Sequence, residues 1–156
     1  MKNPGNTLVV VLLAAAWPHL PAAAPKPGMQ TAAEVERDDG FRKRFAELSG
    51  DQAWEAFQAG IPFLDARPEQ DFGYGHVPRA INVPLRAADF EHRLATFLQG
   101  RRIGPASPLV VYCQGCCSTD SLYLALRLEQ AGYTRVQIYH DGYPGWARAK
   151  RPSERG

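Results

Sequence analysis

Leu109-Val110-Val111-Tyr112 is an unbroken apolar run that ends in Cys113. Four apolar residues in succession, without alternation, suit a strand covered on both faces, as in a parallel sheet with helices on either side. Helical patterning resumes at Thr119 and runs to Ala131, apolar on most sides through Leu122, Leu124, Ala125, Leu126 and Leu128, before Gly132 stops it. The local plan is therefore strand, tight loop, helix, with a thiol at the junction. Amides that open a helix place a field there that favours thiolate over thiol. The same amides can cradle an anion carried on the sulfur. All three cysteines of the chain, Cys113, Cys116 and Cys117, fall in this loop.

The remaining patterns extend the plan. Asp51 to Ala59 has helical spacing, with Ala53, Trp54 and Phe57 on one face, Ser49 or Asp51 as cap and Gly60 as stop. Phe63-Leu64 predicts a short buried strand leading into Asp65-Ala66-Arg67. Ala80 to Val83 predicts another, closed by Pro84. Phe90, Leu94, Phe97 and Leu98 mark a helix ended by Gly100, and Val136 to Tyr139 the last strand. After it, Gly142, Pro144 and Gly145 predict a turn, with Trp146 packing back on the body. Strands alternating with helices imply an α/β fold with a parallel sheet. Chemistry in such sheets gathers at the carboxyl ends of the strands. Asp65-Ala66-Arg67 and Cys113 both lie there.

The first residues read as a leader rather than fold. Lys2 supplies a positive start, Leu8 to Ala16 is an apolar run, and Pro21-Ala22-Ala23-Ala24 offers small residues for cleavage. Residues 1–24 are thus expected to be a signal peptide and the protein to be exported, periplasmic or secreted, with no membrane span after cleavage. Residues 25–40 read as a linker, rich in proline, alanine and charge. In Gly40 to Phe45 the two aromatics are expected inward and the charges in water. Residues 41–150 form one domain and 151–156 a polar tail. The 18 basic and 16 acidic residues nearly balance, which gives no reason to expect a nucleic-acid partner. An oxidising destination implies thiols that are paired or chemically employed, and an odd number leaves one over.

Several blocks together resemble the rhodanese-like domain family. They are Phe63-Leu64-Asp65-Ala66-Arg67, then Gly75-His76-Val77-Pro78-Arg79-Ala80-Ile81-Asn82-Val83-Pro84, then the Val110 to Cys113 strand end with its loop, then Gly142 with Trp146. The resemblance spans roughly Ser49 to Trp146. It implies a three-layer α/β fold: a central parallel five-stranded sheet with helices on both faces. It implies a sulfurtransferase that moves a sulfane sulfur from a small donor anion such as thiosulfate to a thiol or protein acceptor, through a persulfide on Cys113. No metal or organic cofactor is implied. Gln114, Gly115, Cys116, Cys117, Ser118 and Thr119 would form the anion-binding loop, with Asp65 and Arg67 near it in support. The chain departs from the family in having no Arg or Lys between Cys113 and Thr119. Thr119, six residues after Cys113, stands where a phosphate-transferring branch has the arginine that forks onto an oxyanion. Asp141 replaces a glycine that often precedes Gly142.

The bland readings stand beside these. Asp65 and Arg67 also read as an ion pair closing a strand end. His76 reads as structural, bonding backbone between elements, and Arg86 as a solvated arginine. Ser118, Thr119 and Ser121 read as cap or loop hydrogen-bond donors, since no histidine is placed to activate them. Cys116 or Cys117 could act as a resolving thiol, which makes a thiol–disulfide redox module or a non-turnover sulfur carrier the alternative function. Three thiolates could also hold a soft metal, though zinc prefers four ligands in tetrahedral array.

Overall fold

The computed structural model describes residues 40, 43–100, 103–115 and 119–156. Its strands are β1 (Ala46–Leu48), β2 (Phe63–Asp65), β3 (Ile81–Asn82), β4 (Leu109–Tyr112) and β5 (Val136–Tyr139). They form one sheet in the order β1-β5-β4-β2-β3, with every neighbouring pair parallel. The helices are α1 (Gly50–Gln58), α2 (Glu69–Tyr74), α3 (Phe90–Gly100), α4 (Asp120–Gln130) and α5 (Gly142–Arg148). α3 and α4 cover one face of the sheet, and α1 and α5 the other. This is the α/β architecture with a five-stranded parallel sheet.

The apolar run of β4 takes the central place, and all four of its residues are fully buried. Strand alternation sends Leu109 and Val111 into the layer with Phe90, Leu94, Leu124 and Leu128. Val110 and Tyr112 go into the layer with Ala53, Ala56, Phe63 and Trp146. Trp146 is the hub of that second layer. Its ring centroid lies 5.7 Å from Trp54, 5.3 Å from Phe57, 6.0 Å from Phe63 and 6.4 Å from Tyr139, mostly edge to face. Its indole N–H donates to Pro152 O at 2.6 Å. Ser49 caps α1 with a reciprocal bond to Gln52, from an extended backbone with ψ 169°.

Several elements differ from the sequence expectations. Gly142, Pro144 and Gly145 do not merely turn the chain; they begin and carry α5. Pro144 lies in the first turn, where its missing N–H has no partner to lose. At Gly145 the helix meets Asp141 and the Tyr139 hydroxyl, which would sit 2.9 Å from a β-carbon there. Thr119 occupies the N-cap position of α4 but makes no side-chain cap, because its backbone is already helical at ψ −3°. β1 and α2 carry no readable periodicity: β1 buries only Leu48, and α2 buries nothing.

The polar end of the chain is strapped to the body. His76 and Glu154 exchange two backbone hydrogen bonds of 2.9 and 3.0 Å. The Glu154 carboxylate accepts from the Arg79 amide at 2.9 Å. Arg151 lies over the rings of Trp54 and Trp146 and donates to Gly50 O. No helix among the described residues is long and apolar enough to cross a membrane.

Two substitutions separate the hub from the cap. Trp146→Ala should lower the unfolding free energy by about 3–5 kcal/mol in urea titrations. Ser49→Ala should cost only about 1 kcal/mol. Equal losses would contradict the central role of the indole.

Candidate active site

Alternation along β4 continues past its end. Cys113 belongs to the α3/α4 layer and Tyr112 to the α1/α5 layer, so the carboxyl edge of the sheet presents two chemically different faces. On the first face the Cys113 sulfur lies 3.2 Å from the hydroxyl of Ser121, the second residue of α4. It lies 3.7 Å from Gly115 O. Cys113 is 2% exposed and Ser121 4%, so this contact is shielded from bulk water.

The main chain around Cys113 is clamped by α5. The Tyr143 amide donates to Cys113 O at 3.1 Å. Gly142, at φ 58°, lies so close that a β-carbon would strike Cys113 O and come within 2.6 Å of the Gly115 nitrogen. Gly115 itself has φ 120° and comes close to the Asp141 carbonyl. Both positions demand the left-handed backbone that glycine adopts without a Cβ penalty. Gln114 is exposed and Gly115 half-buried. Cys116, Cys117 and Ser118 were expected to complete the loop, with the two cysteines as resolving thiols and Ser118 as a cap; they lie outside the described residues.

On the opposite face a buried polar network closes the edge of β2. Arg67 Nη2 lies 2.6 Å from Asp65 Oδ2, and Arg67 Nε 3.0 Å from Oδ1. A further bond runs from Nη2 to Gly75 O at 2.7 Å. Burial works against the Arg67 charge, but the hydrogen bond and attraction from Asp65 outweigh it and hold the guanidinium above its ordinary range. Tyr112 accepts from the Val77 amide at 3.2 Å. Burial, then the Asp65 charge and a hydrogen bond to that carboxylate, push the Tyr112 hydroxyl well above its ordinary value of 10.0. Asn82 Nδ2 donates to Asp65 O and Arg67 O, fixing the strand ends to β3.

Asp65 and Arg67 therefore reach each other, while the Cys113 thiol is turned to the other side of the sheet. The link between the two faces is Tyr143. Its amide holds Cys113 O, and its ring lies 4.4 Å from the Arg67 guanidinium carbon. Sequence reasoning missed Tyr143, because the contact crosses thirty positions with no local signal. It also missed Tyr112, whose inward hydroxyl could have been flagged by its place directly before the cysteine. His76 stacks on Phe72 at 3.7 Å and bonds Phe72 O through Nδ1 at 2.9 Å, a structural placement. Arg86 is exposed. Among the described residues no group of His, Cys, Asp and Glu is arranged to hold a metal ion.

A parallel sheet covered by helices on both faces, with a cysteine at the carboxyl end of its central strand, defines the α/β class of domain to which this chain belongs. The chain belongs to the rhodanese-like domain family, whose model matches residues 44–149. It is 31% identical over 108 residues to the thiosulfate sulfurtransferase GlpE of Haemophilus influenzae, covering 69% of this chain and 93% of that protein. It is 31% identical over 106 residues to thiosulfate sulfurtransferase 16, chloroplastic, of Arabidopsis thaliana, covering 65% and 87%. Among solved structures, a thiosulfate sulfurtransferase from Pseudomonas aeruginosa superposes with a TM-score of 0.61 at 22% identity. That match covers 80% of this chain and 23% of the Pseudomonas protein. The BH2092 protein of Bacillus halodurans superposes at 0.59 with 20% identity, covering 80% and 87%. At these identities the superpositions establish the fold.

Gly142→Ala should displace the Cys113 loop, because both the positive φ and the backbone contact forbid the methyl; a loss of stability above about 1 kcal/mol is expected in urea titrations. Tyr112 supplies a pH test. Its folded form holds a proton that the unfolded chain releases near pH 10.0, so stability is complete below that pH and falls as pH rises toward the folded value. Each such tyrosine contributes a slope of about 1.4 kcal/mol per pH unit there. Tyr112→Phe should reduce the decline between about pH 9.5 and about pH 11 by that amount.

Proposed function

We propose that this protein is a sulfurtransferase acting through a persulfide on Cys113. The observation that carries the reading is the placement of Cys113: it ends the central strand, faces the opening of α4, and has its carbonyl held by the start of α5. The thiosulfate sulfurtransferase relatives support the same reaction class. In the first half-reaction the Cys113 thiol loses its proton to solvent, and the thiolate attacks the outer sulfur of a small donor anion. A sulfur–sulfur bond forms to Sγ and the donor's own sulfur–sulfur bond breaks. With thiosulfate, sulfite leaves with the electron pair. In the second, an acceptor thiolate attacks the outer sulfur and Cys113 departs as thiolate. No net oxidation of the protein occurs and no cofactor enters. We further propose that the protein is exported; the Lys2, Leu8 to Ala16 and Ala22 to Ala24 pattern supports this.

Incubation with thiosulfate should add the mass of one sulfur atom to Cys113, located by fragment mass spectrometry. Transfer to cyanide or to a thiol should vanish in Cys113→Ala and persist in Cys116→Ala and Cys117→Ala. Undiminished transfer by Cys113→Ala would overturn the assignment. A Cys113 disulfide that withstands mild reductant would instead favour the redox reading.

A further inference from the structure

We propose that Ser121 is a catalytic residue of this site: its hydroxyl donates a hydrogen bond to the Cys113 sulfur when that sulfur is a thiolate. The inference rests on the sulfurtransferase reading above and adds to it the group that steadies the anion from the helix side. The polar atoms that approach the sulfur include Ser121 Oγ at 3.2 Å and Gly115 O at 3.7 Å. These two are not equivalent. A carbonyl oxygen only accepts, so Gly115 O suits the thiol and opposes the thiolate. A hydroxyl both donates and accepts, so Ser121 can serve the thiol as acceptor and the thiolate as donor by rotating one proton.

The surroundings make that donor matter. Both side chains are buried, where a sulfur charge is poorly solvated. The stretch from Cys113 to Thr119 contains no Arg or Lys. Arg67 directs its guanidinium at the Asp65 carboxylate and Gly75 O, on the other face of the sheet. A hydrogen bond to an ionised acceptor is roughly twice as strong as a neutral one. α4 positions the hydroxyl: Ser121 is held in its first turn, between Asp120 and the buried Leu122. The hydroxyl keeps its own proton throughout. The thiol proton leaves to solvent, and the bonds made and broken are those of the transfer described above.

The test measures alkylation of Cys113 by iodoacetamide without any sulfur donor, from about pH 5 to about pH 9, with the modified cysteine resolved by fragment mass spectrometry. Ser121→Ala should slow Cys113 alkylation about tenfold near neutral pH and displace the rise with pH upward by about one unit. Threonine and valine have nearly the same shape, so Ser121→Thr and Ser121→Val separate the hydroxyl from packing. The threonine variant should keep most of the rate, and the valine variant should lose it. If both variants behave alike, or if Ser121→Ala follows the unmodified protein's profile, the role of Ser121 is overturned. If the unmodified protein takes up no sulfur at Cys113 from thiosulfate, the sulfurtransferase reading falls and takes the catalytic role of Ser121 with it. Uptake with unshifted alkylation removes Ser121 alone.

Discussion

Two stretches of main chain meet at the carboxyl edge of the sheet, and the rest of the site hangs on their closeness. Gly142 presses against Cys113 O and the Gly115 amide with no room for a side chain. That approach lets the next amide, Tyr143 N–H, take the Cys113 carbonyl. With this carbonyl held by α5, the alternation of β4 places the sulfur on the opposite layer, against Ser121. A single left-handed glycine thus lies against the carbonyl of a residue nearly thirty positions earlier in the chain.

The two faces of the edge divide the labour. One holds a buried guanidinium–carboxylate pair whose charges are satisfied by each other and by Gly75 O. Removing either partner would strand a buried charge, at a cost of about 3–5 kcal/mol. Such a pair is architecture: it ties the end of β2 to the segment before His76. The other face holds the sulfur with a hydroxyl and a carbonyl. Tyr143 spans both, through its amide and its ring, so the ion pair supports the loop without touching the thiol.

Much of this was legible beforehand, element by element. β4 could be read because a central strand is apolar on both sides, and its position in the sheet follows from that. α1, α3 and α4 carry amphipathic stripes or apolar faces long enough to register. β1 and α2 could not be read, because three residues with one buried, or six with none, leave no period. Gly142, Pro144 and Gly145 looked like a turn, since their local preferences disfavour helix; α5 forms because Trp146 must reach the cluster of Trp54, Phe57 and Phe63. The tail looked detached because its anchors, Arg151 on two indoles and Glu154 on His76, are contacts made far away in sequence.

The amino-acid order alone determined the layered parallel sheet and the placing of a cysteine at the carboxyl end of its central strand, because burial patterns and strand-to-helix junctions are local. Which face the sulfur takes, and who meets it there, was settled only in three dimensions. Pairing of β4 between β2 and β5, the close backbone approach at Gly142 and the placement of α4 all depend on packing between distant segments. A one-residue change in phase would have exchanged Cys113 and Tyr112 and put the thiol beside the ion pair.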